Sequence, residues 1–171
     1  MPGDVLTIEP ILPADEPAVL ALNNAHAAET SWLEPAKLHD MIGQAFLAGR
    51  IGELEAFIIA FDQRANYDSP NFLWFRDRHP RFVYVDRIVT APQARGKGHA
   101  RRIYLALFTK ARFAGHDRIV CEVNSDPPNP GSDAFHAALG FREVGAASIH
   151  GGKKTVRYLA KDLIQEDRPS P

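Results

Sequence analysis

Three stretches of the chain hold residues whose types and spacing suit chemistry. In the first, Gln93-Ala94-Arg95-Gly96-Lys97-Gly98-His99-Ala100 separates an apolar run rich in β-branched and aromatic residues (82–89) from a run in which Ala100, Ile103, Tyr104, Leu107, Phe108 and Ala111 recur at helical spacing. That pattern reads as a strand, a glycine turn and a half-buried helix. Glycines at a helix entrance leave the first backbone N–H groups bare. Those donors, with the positive end of the helix dipole, make a seat for phosphate. Neither a P-loop nor the dinucleotide fingerprint fits: there is no Gly-Lys-Ser/Thr, and Arg101 stands where a third glycine is needed. Arg95 and Lys97 either flank the phosphates or are solvated loop charges. In the second stretch, Glu122 interrupts the apolar strand of residues 118–124, where a carboxylate works as a base or needs a partner such as Arg87. Asp86, also within a strand, is a second candidate base or half of an ion pair. In the third, His136 lies on a short helix (132–139), and its ring changes charge near neutral pH.

The remaining elements must position these groups. A short strand covers 5–11, and Pro13-Ala14-Asp15-Glu16-Pro17 opens a helix running to about Ala28, with prolines and acids in its first turn. A second helix occupies 35–45, and a hairpin (46–51 and 54–61) turns at Gly52-Glu53. Strands at 142–149 and 155–160 join across His150-Gly151-Gly152-Lys153. Strands, then strand–helix alternation, then strands again give an α/β class with a mixed sheet and helices on both faces. The segment 62–81 is longer than a tight connection needs and carries Tyr67, Phe72, Trp74 and Phe75 among charges. It reads as a lid or pocket wall, or as a self-packed surface loop or dimer contact.

Composition sets limits. The 171 residues, 45% hydrophobic with a net charge of −1, suit one domain over 1–164 and a frayed polar tail at 165–171. No apolar run reaches membrane-spanning length and no leader pattern opens the chain, so no membrane partner is expected. The single cysteine, Cys121, excludes an intrachain disulfide and fits a reducing cytoplasm; its apolar strand favours burial over nucleophilic work. Scattered histidines predict no metal site, and the charge balance leaves no footprint for nucleic acid.

The strand, turn and helix resemble the Gln/Arg-x-x-Gly-x-Gly/Ala motif of the GNAT acyltransferases, matched by Gln93, Gly96 and Gly98. The next block is similar too: the Glu122 strand stands for the family's Leu-Glu-Val, followed by an asparagine-containing turn and a helix closing in Leu139-Gly140-Phe141. Both blocks match in order and spacing over residues 82–160, and the chain is identified as a member of that family.

The resemblance implies a mostly antiparallel mixed sheet of about seven strands, with a splay between two central parallel strands where the thioester enters. It implies acetyl-CoA as cofactor, with the pyrophosphate on the turn amides of Gln93, Ala94, Arg95, Gly96, Lys97, Gly98, His99 and Ala100. The pantetheine arm would run along Ile88, Val89 and Thr90, the Val89 amide facing the carbonyl oxygen, with Ser132 and Phe135 counted among the cofactor contacts. Either Asn124 or Asn129 would bond the pantetheine amide. Asn129-Pro130-Gly131-Ser132 also reads as a plain helix entrance capped by Ser132. Glu122 takes the position that some relatives use as a base through water. His136 stands where many members carry a tyrosine acid, and it protonates the thiolate or only packs beside the cofactor. The acceptor pocket would draw on Glu29, Trp32, Tyr67 and Trp74. The implied activity is transfer of acetyl from CoA to a primary amine by direct attack in a ternary complex, the acceptor being a small molecule. A non-catalytic acyl-CoA-binding module and an acetyltransferase of protein amino termini are the alternatives. Monomer and homodimer stay open.

Overall fold

The computed structural model describes residues 7–126 and 128–163, so Val5, Leu6 and the expected tail at 165–171 lie outside the described residues. The sheet has seven strands in the order β1-β2-β3-β4-β5-β7-β6. These are β1 (Ile8–Pro10), β2 (Leu47–Ile51), β3 (Ala56–Asp62), β4 (Val83–Thr90), β5 (Arg118–Asp126), β6 (Arg142–Ile149) and β7 (Lys154–Asp162). β4 and β5 run parallel, and β1–β2, β2–β3, β5–β7 and β6–β7 are antiparallel. This is the mixed sheet that the pattern of elements predicts and the mostly antiparallel, seven-strand form that the resemblance implies.

The chain divides into two compact units, the first comprising residues up to Ala65 with Val85–Thr109, the second Asn66–Tyr84 with the residues from Lys110 onward. In the first, β2 and β3 form the expected hairpin, with Ile51 opposite Ala56. Six of the seven β3 residues are buried, which fits a strand covered on both faces. The single helix expected from Pro13 is in fact three pieces: a 3-10 turn Pro13–Asp15, α1 (Glu16–Ala25) and α2 (Ala27–Thr30). The break falls at His26, whose backbone leaves the helical region (φ −116°, ψ 26°) while its Nδ1 bonds the Leu22 carbonyl at 2.9 Å. α3 (Pro35–Gln44) opens on a proline that needs no helical donor at that place. The Ile103, Tyr104, Leu107 and Phe108 side chains of α5 (His99–Phe113) are buried, as their spacing requires.

In the second unit, Val83 and Tyr84 pair with Ile119 and Val120, and Glu122 stands opposite Tyr158 in the β5–β7 register. The segment 62–81 is not an open lid. It contains α4 (Pro70–Arg76), which buries Asn71, Phe72 and Phe75. Phe72 and Phe75 lie one helical turn apart and each meets Phe82 and Tyr84 ring to ring, so the aromatic residues fill the core. α6 (Pro130–Ala138) starts two residues earlier than its expected first residue, Ser132. Its cap is Asn129, whose side-chain oxygen accepts the Ser132 amide at 3.2 Å; Ser132 therefore sits inside the first turn.

Candidate functional site

The glycine turn follows β4 directly. Ala91 N–H donates to the Glu55 carbonyl at 2.9 Å, and a 3-10 turn over Pro92–Ala94 closes with Ala94 N–H on the Ala91 carbonyl at 2.9 Å. Gly96 and Gly98 have φ of 78° and 79°, a left-handed backbone that side chains other than glycine disfavour. A Cβ on either would meet nothing within 4 Å, so the space above the turn is open. The bond from Arg102 N–H to the Gly98 carbonyl (3.1 Å) is the first to close a turn. The amides of His99, Ala100 and Arg101 thus have no acceptor within α5. Gln93, Arg95, Gly96, Lys97 and Gly98 are exposed; Ala94 and the His99 ring are buried. Of the arm residues before the turn, Val89 is buried while Ile88 and Thr90 are half-buried.

Asp86 and Arg87 pair with each other at 2.7 Å, both almost wholly buried. Arg87 Nη1 also donates to Asn23 Oδ1 at 2.9 Å and toward the Ser31 carbonyl at 3.4 Å, which Asn23 Nδ2 reaches at 2.9 Å. Ser31 has a φ of 77°, so these donors grip a residue held in a disfavoured conformation. Beside it Trp32 is 65% exposed, and Glu29 is exposed as well.

Glu122, half-buried on β5, has a donor on each carboxylate oxygen. Tyr84 O–H donates to Oε2 at 2.7 Å and Asn71 Nδ2 to Oε1 at 3.1 Å. Tyr158 O–H in turn donates to Asn71 Oδ1 at 2.9 Å, which fixes which end of the amide faces the carboxylate. Burial, and then the Glu122 charge, push the Tyr158 hydroxyl above the ordinary tyrosine range, so this phenol keeps its proton. Arg87, the partner considered for Glu122 from sequence, pairs with Asp86 and donates to Asn23.

Trp74 is stacked on Tyr158 (centroids 4.2 Å apart) and carries the Arg78 guanidinium 3.9 Å from its own ring centre. A Cβ at residue 145 would come within 2.5 Å of the indole, so Gly145 makes room for it. The Trp74 ring therefore carries both a phenol ring and a guanidinium. Tyr67 leans edge-on against Phe72. His136 is buried, and its Nδ1 lies 2.7 Å from the Ser132 carbonyl, so that nitrogen holds the ring proton. Burial holds its pKa below the usual histidine value despite the opposing Ser132 bond and Asp133 charge. Phe135 and Phe141 meet the ring edge-on. Asn124 is half-buried at the start of a register shift in β5, and Asn129 spends its side-chain oxygen on the helix cap. Glu122 and its partners Tyr84, Asn71 and Tyr158 come together; of these only Glu122 was legible as a candidate from sequence. Tyr84, two residues before Asp86 on β4, carried a signal in strand alternation; Asn71 and Tyr158 carried none. Among the described residues no three metal-binding side chains cluster, and no helix is long and apolar enough to cross a membrane.

The mixed sheet with its parallel β4–β5 pair agrees with what comparison finds. The model of the acetyltransferase (GNAT) family matches residues 14–141, and the chain belongs to that family. It is an acetyl-CoA-dependent N-acetyltransferase. Solved structures share the fold at low identity. The ribosomal-protein-S18-alanine N-acetyltransferase from Escherichia coli matches with a TM-score of 0.68 and 16% identity, over 96% of this chain and 98% of its own. NAA60 from Arabidopsis thaliana in complex with acetyl-CoA matches with a TM-score of 0.72 and 13% identity, over 93% and 99%. The spermidine N-acetyltransferase from Vibrio cholerae, in complex with CoA and spermine, matches with a TM-score of 0.66 and 15% identity, over 92% and 95%. No curated protein matches the chain in sequence.

Proposed function

We propose that this acetyltransferase acts on the primary amine of a small molecule, with the turn amides of residues 93–100 receiving the pyrophosphate and Glu122 serving as the base. The observation that carries the reading is the Glu122 carboxylate, whose two oxygens accept from Tyr84 and Asn71. A neutral amine nitrogen attacks the thioester carbonyl carbon; the C–S bond breaks and CoA leaves as thiolate. The ammonium proton passes through water to Glu122, a transfer worth roughly 10²–10⁴ in rate when a base is well placed. Ionised but well-bonded carboxylates are weak bases, which suits a relay through water better than direct abstraction. The Val89 amide is assigned to the carbonyl oxygen. Ile88 and Thr90 are assigned to the pantetheine arm together with Asn124, while Phe135 and Ser132 lie near the turn that carries Asn129. An acid role for His136 would need a second proton that its burial disfavours, so the reading gives thiolate protonation to solvent. The exposed Trp32 and Glu29 support a cationic acceptor, and spermidine in one neighbour's name illustrates the class.

The test is acceptor-dependent release of free CoA from acetyl-CoA, measured against a panel of small primary amines and of short peptides with free amino termini. Release with the small amines alone supports the reading. Release with the peptides alone would move the acceptor to a protein amino terminus, and binding of acetyl-CoA with no release at all would make the chain a cofactor-binding module.

A further inference from the structure

The glycine turn is held at both ends by one residue that lies outside it. Glu55 ends the β2–β3 turn, directly after Leu54, whose φ of 69° is a conformation that branched side chains rarely adopt. The Glu55 amide donates to the Ile51 carbonyl at 2.9 Å, which closes that turn. From this place Glu55 reaches the exit of β4 and the entrance of α5. Its backbone carbonyl accepts Ala91 N–H at 2.9 Å, and its carboxylate Oε2 lies 2.7 Å from Nε2 of His99, the first residue of α5.

The chemistry of the His99 ring fixes the direction of the second contact. Arg102 Nη1 sits 3.3 Å from His99 Nδ1, and an arginine can only donate, so Nδ1 accepts and the ring proton is on Nε2, the nitrogen beside the carboxylate. Nε2 and the carboxylate oxygen touch at 2.7 Å without the alignment of a straight hydrogen bond. The His99 side chain is 2% exposed and that of Glu55 36%, so the ring is shielded while the carboxylate borders solvent. Between these anchors run the exposed Gln93, Arg95, Gly96, Lys97 and Gly98, and a Cβ at either glycine would touch nothing. A loop with so little packing of its own keeps its shape through its ends.

We infer that Glu55 is a positioning residue for the cofactor: it holds residues 91 and 99 at the separation at which the turn between them receives a pyrophosphate. The inference rests on the reading of that turn as the pyrophosphate seat. Glu55 itself touches no phosphate, since its carboxylate is engaged with His99.

Calorimetry on the whole chain separates the two claims. Acetyl-CoA and dephospho-CoA carry the pyrophosphate and pantetheine lacks it, with pantetheine measured by competition. Glu55→Ala is expected to weaken acetyl-CoA and dephospho-CoA by about 10-fold, through loss of the side-chain contact with His99, and to leave pantetheine unchanged. Glu55→Gln keeps an oxygen toward His99 and should restore most of the affinity. Where Glu55→Ala does not fold, Glu55→Asp draws the carboxylate back by one methylene and should show the same loss for the pyrophosphate ligands alone. Parental affinity for acetyl-CoA in Glu55→Ala or Glu55→Asp, or an equal loss for all three ligands, overturns the inference. A parent protein that binds pantetheine and dephospho-CoA equally tightly sinks the pyrophosphate seat itself, and the positioning role with it.

Discussion

The turn after β4 and the neighbourhood of Glu122 solve opposite problems. The turn leaves its first helical amides without acceptors in the helix and open space around its glycines, the arrangement that the proposed function gives to a phosphate ligand. Around Glu122 the protein supplies the partners itself: a phenol and an amide on the carboxylate, and a second phenol behind the amide. The first region has donors to spare, whereas the second is a network in which each carboxylate oxygen and the amide behind it has a partner. The lesson is that binding sites and proton-handling sites are recognised by different evidence, missing partners in one case and a surplus of them in the other.

The sharpest way to break this contrast is Gly96→Glu. A side chain at φ 78° costs about 1–2 kcal/mol, and a carboxylate facing phosphate several more, so acetyl-CoA affinity should fall by about 1,000-fold. Calorimetry showing parental affinity would mean the turn is only a loop. Glu122→Gln tests the other region. It keeps the shape and loses the charge, and turnover should drop by about 100-fold with cofactor affinity unchanged. A parental rate across the pH range would place the base elsewhere.

Smaller effects sharpen the comparison. Tyr84→Phe removes a donor from a charged acceptor and should cost about 1–3 kcal/mol in chemical denaturation, while raising the pH at which turnover half-saturates. A shift in stability with no shift in the pH profile would separate the network from catalysis. His136 gives the least. Burial lowers its folded pKa, so the unfolded chain takes up the proton first. Stability from this group is whole above about pH 6.5 and declines as pH falls from there through the folded value. The melting temperature of His136→Phe should lack this part of the acid-side decline; an identical profile would assign the decline to other groups.

The sequence disclosed what local pattern encodes. Strand alternation, the apolar period of α5 and the glycine pair each lie within one element, and all appear where expected. Glu122 stood out because a charge inside an apolar strand is conspicuous. Its partners did not, since Tyr158 and Asn71 meet across 87 residues and no window spans that. α4 escaped because two turns of helix give too few repeats for a period to show, and its aromatic residues look alike whether they line a pocket or fill a core. The cap of α6 was misplaced from Asn129 to Ser132, although Pro130 at the first helical position favours the earlier start.

Ser31, held by Asn23 and Arg87, has a consequence for light rather than for chemistry. The protein has two tryptophans, and one of them, Trp74, carries both a guanidinium and a phenol ring. The other, Trp32, stands in solvent on the residue that follows the strained serine. Their emission is expected to differ in colour and in access to a soluble quencher, which would give the segment between α2 and α3 its own optical label, readable without attaching a dye.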